Sequence, residues 1–396
     1  MNDVATIDVE EFISNLPHLS TDSDYWLVRA NGGQFFPDFL MNNYVGIGFN
    51  KIKLASLQES GGDTVRIKKL VEEAYGDELT DLADDEESKL VDDSSITNPT
   101  EKSPGTIAGQ LSRFVFGINK GDIVVVPSIS SNSFIVSNVI SDPYELDSSS
   151  IGNATENVEY EPSPFQKRVN VHWLGRFARS DADAHLYPMI YSQNSVSRVN
   201  DYRSFINRAL FDAYILDDDN LHLTFHVMQQ SNINAKFLGQ FIYQLSKLTE
   251  LISPESLQDL IIKVNVQSKG PIETASKHPF WTAFAFIILS VALNGGHFDI
   301  SIFGQRFYVQ QNGLIERVED TLDRNLARKT KEQTDKNKIT AQEIQNIQEA
   351  YKVAKELKVP INSLNIDLPA KAEGEIQRQK AANKKAPVND DESKSK

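Results

Sequence analysis

The stretch from Asp24 to Asn50 restricts the fold of this chain more than any other segment. A strand-like run from Tyr25 to Ala30 leads into the pair Gly32-Gly33, and a short helix-like stretch then leads into a second strand, Tyr44 to Phe49. Because glycine has no Cβ, another backbone can approach closely at that pair. The segment therefore predicts a strand, a glycine turn, a short helix and a second strand in close succession.

Further elements are predicted downstream. The spacing of apolar residues predicts amphipathic helices over Thr64 to Tyr75 and over Ser103 to Phe116. The continuous apolar run Ile123 to Val126 and the segment Ser133 to Ile140 have strand character. From Gln166 to Phe177 apolar and polar residues alternate, as on a strand with one buried face. The alternation places three residues on one side and three on the other: Val169, Val171 and Trp173 against Arg168, Asn170 and His172.

This order of features resembles the small β-barrel of the EVE/PUA-like superfamily. It is most similar to the copy at the N-terminus of Mrr-type restriction and phage-defence proteins. The resemblance covers residues 24–180 and depends on the order of five short features. It implies a barrel with flanking helices that reads nucleic acid, often a modified base. The chain would then be a nucleic-acid-binding, modified-base-sensing protein of a bacterial restriction or antiviral defence system, with DNA as the expected partner.

A base-reading pocket needs aromatic or guanidinium planes for stacking and polar groups that read the edges of the base. Phe36 and Phe49 supply additional planes beside the main candidates. Those nucleic-acid-binding candidates are Tyr25, Trp26, Arg29, Asn31, Gly32, Gly33, Gln34, Phe35, Arg168, His172 and Trp173. For any single aromatic residue among them, a place in the core is the competing interpretation. Strand alternation turns about half of the run from Tyr25 to Ala30 inward.

Composition limits the classes of function. The 396 residues carry a net charge of −15, which argues against broad binding to a phosphate backbone but leaves room for a local base-reading pocket. The chain has no cysteine, so disulfides, zinc–thiolate sites and cysteine nucleophiles are excluded. The acidic run from Asp77 to Asp93 predicts a solvated loop. Met1 to Leu16 lacks the pattern of a signal peptide, and we expect a cytoplasmic location.

The predicted fold class is α+β, with a PUA/EVE-like β-barrel, a second mixed α/β domain and a C-terminal tail that is helical and then disordered. The second domain is predicted from a strand over Leu221 to Val227, a helix over Asn234 to Leu251 and a hairpin over Phe298 to Val309. We expect self-association through residues 215–365. The predicted segments are a lead-in (1–23), the barrel (24–180), a connector (181–214), the α/β domain (215–320), a helical arm (321–365) and a disordered tail (366–396).

A nuclease is one alternative function. Mrr-type nucleases carry a metal-binding carboxylate, followed by a strand with Glu or Gln, any residue, and then Lys. Asp259, Gln267 and Lys269 are the catalytic candidates in this pattern. Mg²⁺ would be the cofactor in that case alone, with Lys269 stabilising charge on the phosphate. The spacing of the three residues departs from the pattern, because Asp259 and Gln267 are close in sequence. Taken together, the sequence features favour a protein that is not an enzyme, and no other cofactor is predicted.

A membrane-acting effector is the other alternative. Phe280 to Leu293 is uncharged and mostly apolar over 14 residues, whereas a spanning helix needs about 20. A buried core helix is therefore favoured over membrane contact, and burial of this segment among helices would count against the effector. His222 and His226 share a strand face but have no third ligand nearby, so a structural role is favoured over a metal site.

Overall fold

The computed structural model describes residues 5–80, 103–147, 160–191, 194–265, 269–295, 298–303, 305–309, 315–318 and 341–383. The chain forms two compact units. The first, called the half-barrel unit, spans Thr21–Leu210. The second, called the mixed unit, combines Met1–Ser20 with Phe211–Lys396. Helices and sheets occur in both units, so the chain is mixed α and β, and its sheets include a curled half-barrel.

The elements of the described residues are as follows. In chain order the strands are β1 (Ala5–Asp8), β2 (His18–Leu19), β3 (Tyr25–Val28), β4 (Tyr44–Ile47), β5 (Ile123–Pro127), β6 (Ser133–Val139), β7 (Tyr144–Glu145), β8 (Lys167–Ala178), β9 (Val196–Arg198), β10 (Ala213–Leu216), β11 (Asn220–Val227), β12 (Ile261–Val264), β13 (Gly270–Ser276), β14 (Phe298–Ile302), β15 (Gln305–Val309), β16 (Ile315–Val318) and β17 (Ile366–Asp367). The α-helices are α1 (Val9–Ser14), α2 (Phe36–Asn42), α3 (Leu54–Glu59), α4 (Thr64–Thr80), α5 (Pro104–Ser112), α6 (Tyr187–Ile190), α7 (Arg203–Leu210), α8 (Ala235–Ile252), α9 (Pro254–Gln258), α10 (Pro279–Asn294), α11 (Ala341–Glu356), α12 (Lys358–Leu364) and α13 (Ala370–Asn383).

One curled sheet organises the half-barrel unit, with strand order β4-β8-β6-β5-β3-β9 and β7 paired to β8. β3 and β5 are parallel, and the other neighbours on this path are antiparallel. β8 is 12 residues long and pairs with both β4 and β6, with a bulge opposite the Val136/Ser137 step. A bulge bends its strand and increases the local twist. The predicted alternation on β8 is confirmed, because Val169 and Val171 are buried while Asn170 and His172 are exposed.

Strand β3, which lies between β5 and the edge strand β9, is buried along its whole length. Trp26 and Val28 pack in a core with apolar residues of α2 to α5, whereas Tyr25 and Leu27 pack with Leu186, Met189 and Ile206. Both faces are therefore covered, so more of the run from Tyr25 to Ala30 is buried than the half that strand alternation turns inward. The predicted connector is corrected in the same way. Residues 181–210 contribute α6, α7 and a buried apolar cluster to the half-barrel unit.

Two sheets and a helical layer make up the mixed unit. The larger sheet has the order β12-β13-β11-β10-β2, with β17 on β11, and the smaller has the order β1-β14-β15-β16. The predicted hairpin over residues 298–309 is confirmed as β14 and β15. Helix α10 is buried from Thr282 to Ala292 in the core of this unit, which accounts for its uniformly apolar sequence. Its burial counts against the membrane-acting effector.

Among the described residues, no helix combines the length and the apolar character required for a membrane span.

The two ends of the chain differ from the sequence-based expectation. The predicted lead-in forms β1, α1 and β2, and Ile7 and Phe12 are buried in the core of the mixed unit. The predicted arm, where described, forms α11 and α12, and α11 packs on α8 through buried residues such as Tyr351. The predicted disordered tail is wrong for residues 366–383, which form β17 and α13, while residues 384–396 lie outside the described part.

Candidate functional site

A narrow cleft lies at the ends of β3 and β4 in the half-barrel unit. We call it the Arg29 cleft. Its lining residues are Arg29, Gly46, Ile47, Gly48, Phe49, Phe165 and Ser195. A Cβ added to Gly46 or to Gly48 would lie 3.2 Å from the Phe165 side chain, so both glycines let the ring lie directly on the backbone of β4 and of the residues that follow it. The cleft therefore combines two aromatic rings, a floor of bare backbone, a guanidinium and a hydroxyl.

Arg29 is fixed in place although it carries a charge. Its side chain is 4% exposed, and its guanidinium donates to the backbone carbonyl of Ile190. Its backbone N–H donates to the Ser195 carbonyl at 2.9 Å. These contacts attach Ile190 and Ser195 to the end of β3. A charge-assisted hydrogen bond in a buried setting is stronger than a neutral one, so the wall of the cleft has little freedom to move.

Buried polar atoms without partners adjoin this wall. Within the described residues, neither the Ser195 hydroxyl nor Nε2 of Gln110 has a hydrogen-bond partner. The two residues are joined, because Ser195 N–H donates to Oε1 of Gln110 at 3.0 Å. Native proteins leave few such groups unpaired, and each one calls for an explanation. A ligand in the cleft that bonds the Ser195 hydroxyl would provide one.

A buried lysine holds the aromatic wall. Lys167 on β8 is 0% exposed, and its Nζ donates to the carbonyls of Phe49 and Ile52 at 2.9 and 3.0 Å. Burial lowers the pKa of Lys167 to about 8, although the nearby Glu145 carboxylate acts in the opposite direction. Phe49 itself has a φ of 61°, an unusual value for a bulky side chain. The lysine therefore fixes a loop that places Phe49 in a strained position at the cleft.

The predicted aromatic residues of β3 belong to the core. The Tyr25 hydroxyl donates to Oδ1 of Asn207 at 2.6 Å, and burial raises the pKa of Tyr25 to about 12. The Trp26 indole donates to Oδ2 of Asp122 at 2.9 Å. Both side chains are buried and satisfied within the protein. Neither lines the Arg29 cleft, so the competing core interpretation holds for both.

The predicted glycine turn packs against the protein itself. Gly33 has a φ of 95°, and a Cβ on it would lie 2.3 Å from the backbone nitrogen of Ile129. At Gly33 the expected close approach is therefore made by the loop between β5 and β6. Nδ2 of Asn31 donates to Oε1 of Gln34, and Gln34 in turn donates to Glu161. Phe35 is buried edge-on against Phe165, with ring centroids 5.3 Å apart.

The β8 candidates have different environments. Arg168 lies over the Tyr44 ring at 3.8 Å and donates to the carbonyls of Phe165 and Ser163, so it stabilises the segment that carries Phe165. The Trp173 indole donates to the Leu40 carbonyl at 3.1 Å. His172 is exposed on the polar face of β8. The structure thus brings Arg29 to the cleft and places Arg168 behind it, while His172 and Trp173 do not line it.

Sequence reasoning missed several residues of the cleft. Gly46, Gly48, Phe165 and Ser195 were not candidates, and Phe49 was named as one ring among several. The pattern Gly-Ile-Gly-Phe over residues 46–49 was the available signal, because two glycines two apart remove the side chains from one face of a strand. Phe165 and Ser195 lie in segments without apolar periodicity, and no local signal pointed to them.

The nuclease candidates do not converge. Asp259 comes before β12, and its carboxylate bonds His278 at 3.2 Å, just beyond the end of β13. Lys269 comes immediately before the start of β13. Because β12 and β13 are antiparallel, the two residues lie at opposite ends of the pair, roughly 25 Å apart at about 3.3 Å per residue. Gln267 lies outside the described residues. This arrangement gives the nuclease alternative no support.

The histidines of β11 make strand-to-strand contacts. His222 stacks on Tyr214 with ring centroids 4.5 Å apart, and its Nδ1 lies 2.8 Å from the Glu273 carboxylate on β13. His226 pairs in register with Pro271. Among the residues that the structure describes, no group of three or more His, Cys, Asp or Glu side chains is placed to hold a metal ion.

Comparison with protein-family models, with curated proteins and with solved structures finds no match to this chain. The EVE/PUA-like resemblance therefore stays a prediction.

Proposed function

We propose that the half-barrel unit binds nucleic acid and holds one unstacked base at the mouth of the Arg29 cleft. The observation that carries the proposal is the lining of this cleft, in which Phe49 and Phe165 flank a glycine floor beside Arg29 and the unpartnered Ser195 hydroxyl. Proteins that read single bases stack them on aromatic or guanidinium planes and bond their edges with polar groups. The cleft provides groups of each kind.

DNA with a modified base is the proposed ligand, within a bacterial restriction or phage-defence system, as the EVE/PUA-like resemblance implies. The net charge of −15 supports a mode of binding in which the base supplies much of the affinity. Each phosphate contact steepens the dependence of affinity on salt. We therefore expect a shallow salt dependence in comparison with proteins that coat the phosphate backbone.

The test measures binding of the full chain to fluorescein-labelled 12-base-pair duplexes with a central cytosine, 5-methylcytosine or 5-hydroxymethylcytosine, and to RNA of the same sequence. We expect one modified duplex to bind most tightly. Phe49→Ala should weaken that binding about tenfold or more, the size of one lost base-stacking contact. Phe116→Ala is the control, because it removes a partly exposed ring of the same unit from outside the cleft. Absence of binding to every probe, or equal affinity in Phe49→Ala and wild type, would contradict the proposal.

We also propose that the mixed unit self-associates. The supporting observation is β12, an edge strand on which Ile261 and Val264 are exposed. An exposed apolar edge is a template for pairing with another chain. Light scattering after size exclusion should show a dimer or larger species in wild type and a monomer in Ile261→Lys. A monomeric wild-type chain at micromolar concentration would contradict this part.

A further inference from the structure

A surface of the half-barrel unit outside the Arg29 cleft carries planar side chains that are held in fixed positions. It is formed by the turns and the short helix α6 over residues 179–191, together with α7. Leu186 and Met189 of this segment are buried in the core on one face of β3. Their burial anchors the segment, whereas His185 and Tyr187 are exposed.

The ring of His185 is exposed and yet ordered by its contacts. Its side chain is 69% exposed, and the ring stacks on Phe205 with centroids 4.8 Å apart and an angle of 7° between the planes. Its Nδ1 lies 2.6 Å from Oδ1 of Asp183, an oxygen that also accepts the His185 N–H at 2.9 Å. Because Phe205 covers one face of the imidazole, its exposed area belongs to its edges and to its other face.

Arg208 holds the support of this ring in place. Its guanidinium lies over the Phe205 ring at 5.3 Å, and its Nη2 donates to Oδ2 of Asp183 at 2.5 Å. The side chains of Asp183 and Arg208 are only 6% and 12% exposed, so the imidazole rests on groups that are shielded from solvent. A ring that is ordered before a ligand arrives loses less conformational freedom when the ligand binds.

A local structural role accounts for Asp183 but not for the ring. An aspartate that bonds the N–H two residues later forms an Asx turn, and that bond would be the same with any residue other than proline at position 185. An aliphatic side chain at this position could also pack on Phe205. Such a side chain would not present a flat exposed face, and flat faces are what nucleobases stack on.

Tyr187 and Arg179 add a second plane and a positive charge. Tyr187 is 37% exposed, and the guanidinium of Arg179 lies 5.1 Å from the centroid of its ring. Exposed aromatic rings with arginine beside them are typical of proteins that bind single-stranded nucleic acid, because bases stack on the rings and cations meet the phosphates. The negative charge of Asp183 is compensated by Arg208.

This surface is continuous with the wall of the Arg29 cleft. The carbonyl of Ile190, at the end of α6, accepts the hydrogen bond from Arg29. Tyr187 comes three residues earlier, about 5 Å along the helix axis. A nucleotide whose base lies at the mouth of the cleft would therefore have its neighbour within reach of α6.

We propose that His185, Phe205, Tyr187 and Arg179 form a stacking platform for single-stranded nucleic acid. We call it the His185 platform. The inference rests on the proposed function of the half-barrel unit and adds a second contact, to an unpaired stretch of the same strand. Stacking depends little on sequence, because every base has a π face. The platform therefore supplies affinity, and the Arg29 cleft supplies the choice of base.

The test measures fluorescence anisotropy of the full chain with fluorescein-labelled 12-nucleotide single strands that carry a central cytosine, 5-methylcytosine or 5-hydroxymethylcytosine. His185→Ala should weaken binding of every strand by the same factor, about fivefold to tenfold, and leave the preference among them unchanged. His185→Phe should bind within about twofold of wild type, because it keeps the plane. His18→Ala is the matched control, since His18 also lies beside an aspartate, Asp218 at 3.0 Å, but belongs to the mixed unit.

Unchanged affinity of His185→Ala for every strand would overturn the platform. An equal loss in His185→Phe and His185→Ala would also overturn it, because the contact would then not be stacking. The two proposals fail in different ways. If Phe49→Ala removes the preference for a modified base while His185→Ala has no effect, the platform fails and the cleft stands. If His185→Ala weakens every strand alike and no modified base is preferred, the platform stands and base reading by the cleft fails.

Discussion

The mixed unit contains a cleft, called the Glu343 cleft, that is lined by Leu251, Ile252, Trp281, Phe284, Ile302, Glu343 and Ile347. The Arg29 cleft and the Glu343 cleft are built from similar parts in opposite ways. Each has an aromatic wall and a single charged lining residue. In the first, the charge is a buried guanidinium bonded to the backbone, and the wall is held by a buried lysine. In the second, the charge is an exposed carboxylate on the first turn of a helix. Loss of the charge should therefore affect the fold strongly in the first cleft and weakly in the second.

The difference separates two ways of preparing a binding site. A site made from buried, bonded groups is rigid before a ligand arrives, but its residues also maintain the fold. A site whose charged residue lies on the exposed surface of a helix can be altered by substitution of that residue at little cost in stability. The predictions below test this contrast.

The largest effect is expected at Gly33. A methyl group there would lie 2.3 Å from the Ile129 nitrogen, and the φ of 95° is strained for alanine. Gly33→Ala should lower the free energy of unfolding of the half-barrel unit by about 3 kcal/mol or more. Gly61→Ala is the matched control, because Gly61 has a φ of 62° with open space around it, and about 1 kcal/mol is expected. Urea unfolding followed by Trp26 and Trp173 fluorescence in a Trp281→Phe background measures both. Equal losses would show that the packing of the turn on Ile129 contributes nothing.

Loss of the buried charge should have the next largest effect. Arg29→Met removes the donor to the Ile190 carbonyl and should lower the free energy of unfolding by about 2 to 3 kcal/mol. Arg176→Met, at an exposed position on β8, should change it by less than about 0.5 kcal/mol. The same urea titration compares the two. If both variants unfold like wild type, the rigid description of the Arg29 cleft is wrong.

Lys167 should make stability depend on pH. Burial lowers its pKa from the ordinary 10.5 to about 8, and the charged groups near it are Glu145 and Lys53. Between these two pH values the unfolded chain binds more protons than the folded chain, so the free energy of unfolding rises with pH. Below about pH 8 both states hold the proton, and the contribution is constant. The gain from pH 7.5 to 9.5 should reach up to about 2 kcal/mol.

The control for this pH dependence is Lys167→Met, in which the rise should be absent, whereas Lys53→Met should keep it. Ionisation of Tyr25 does not account for a change in the free energy of unfolding between pH 7.5 and 9.5. Burial raises its pKa to about 12, so its stabilising contribution is lost as the pH rises from about 10, where the unfolded tyrosine ionises, to about 12. Unfolding titrations at pH 7.5, 8.5 and 9.5 supply the measurement. If the free energy of unfolding of Lys167→Met rises with pH as in wild type, the pH dependence does not come from Lys167.

The comparison also shows which features could be predicted from sequence. Strands β3, β4, β8 and β11 and helices α8 and α10 follow from the local spacing of apolar residues, which the chain shows directly. Helix α13 has few apolar residues and was expected to be disordered. It is held by contacts far apart in sequence, such as the bond from Asp8 N–H to Gln379 and the ion pair between Arg378 and Glu11. Local patterns contain no information about such pairs.

The candidate site was harder to predict for a related reason. The residue type of an aromatic side chain does not reveal whether both faces of its strand are covered, and residues 186–206 bury Tyr25 from the second side. Arg29 was named as one of the polar groups that could read the edge of a base, and it lines the cleft. Phe165 and Ser195 reach the cleft from segments that come more than a hundred residues after β3. Their selection depends on the closure of the curled sheet, which spacing alone does not specify.

The smallest effect on stability is expected at the Glu343 cleft, and it decides whether the contrast between the clefts holds. Glu343→Gln keeps the shape of an exposed side chain, so the free energy of unfolding of the mixed unit should change by less than about 0.5 kcal/mol. Tyr351→Ala on the same helix removes a fully buried ring and should cost about 3 kcal/mol or more, which shows that the assay detects damage to α11. Urea unfolding followed by circular dichroism compares the two variants. A loss above 1 kcal/mol in Glu343→Gln would mean that this carboxylate also maintains the fold, and the two clefts would then differ in the sign of their charge alone.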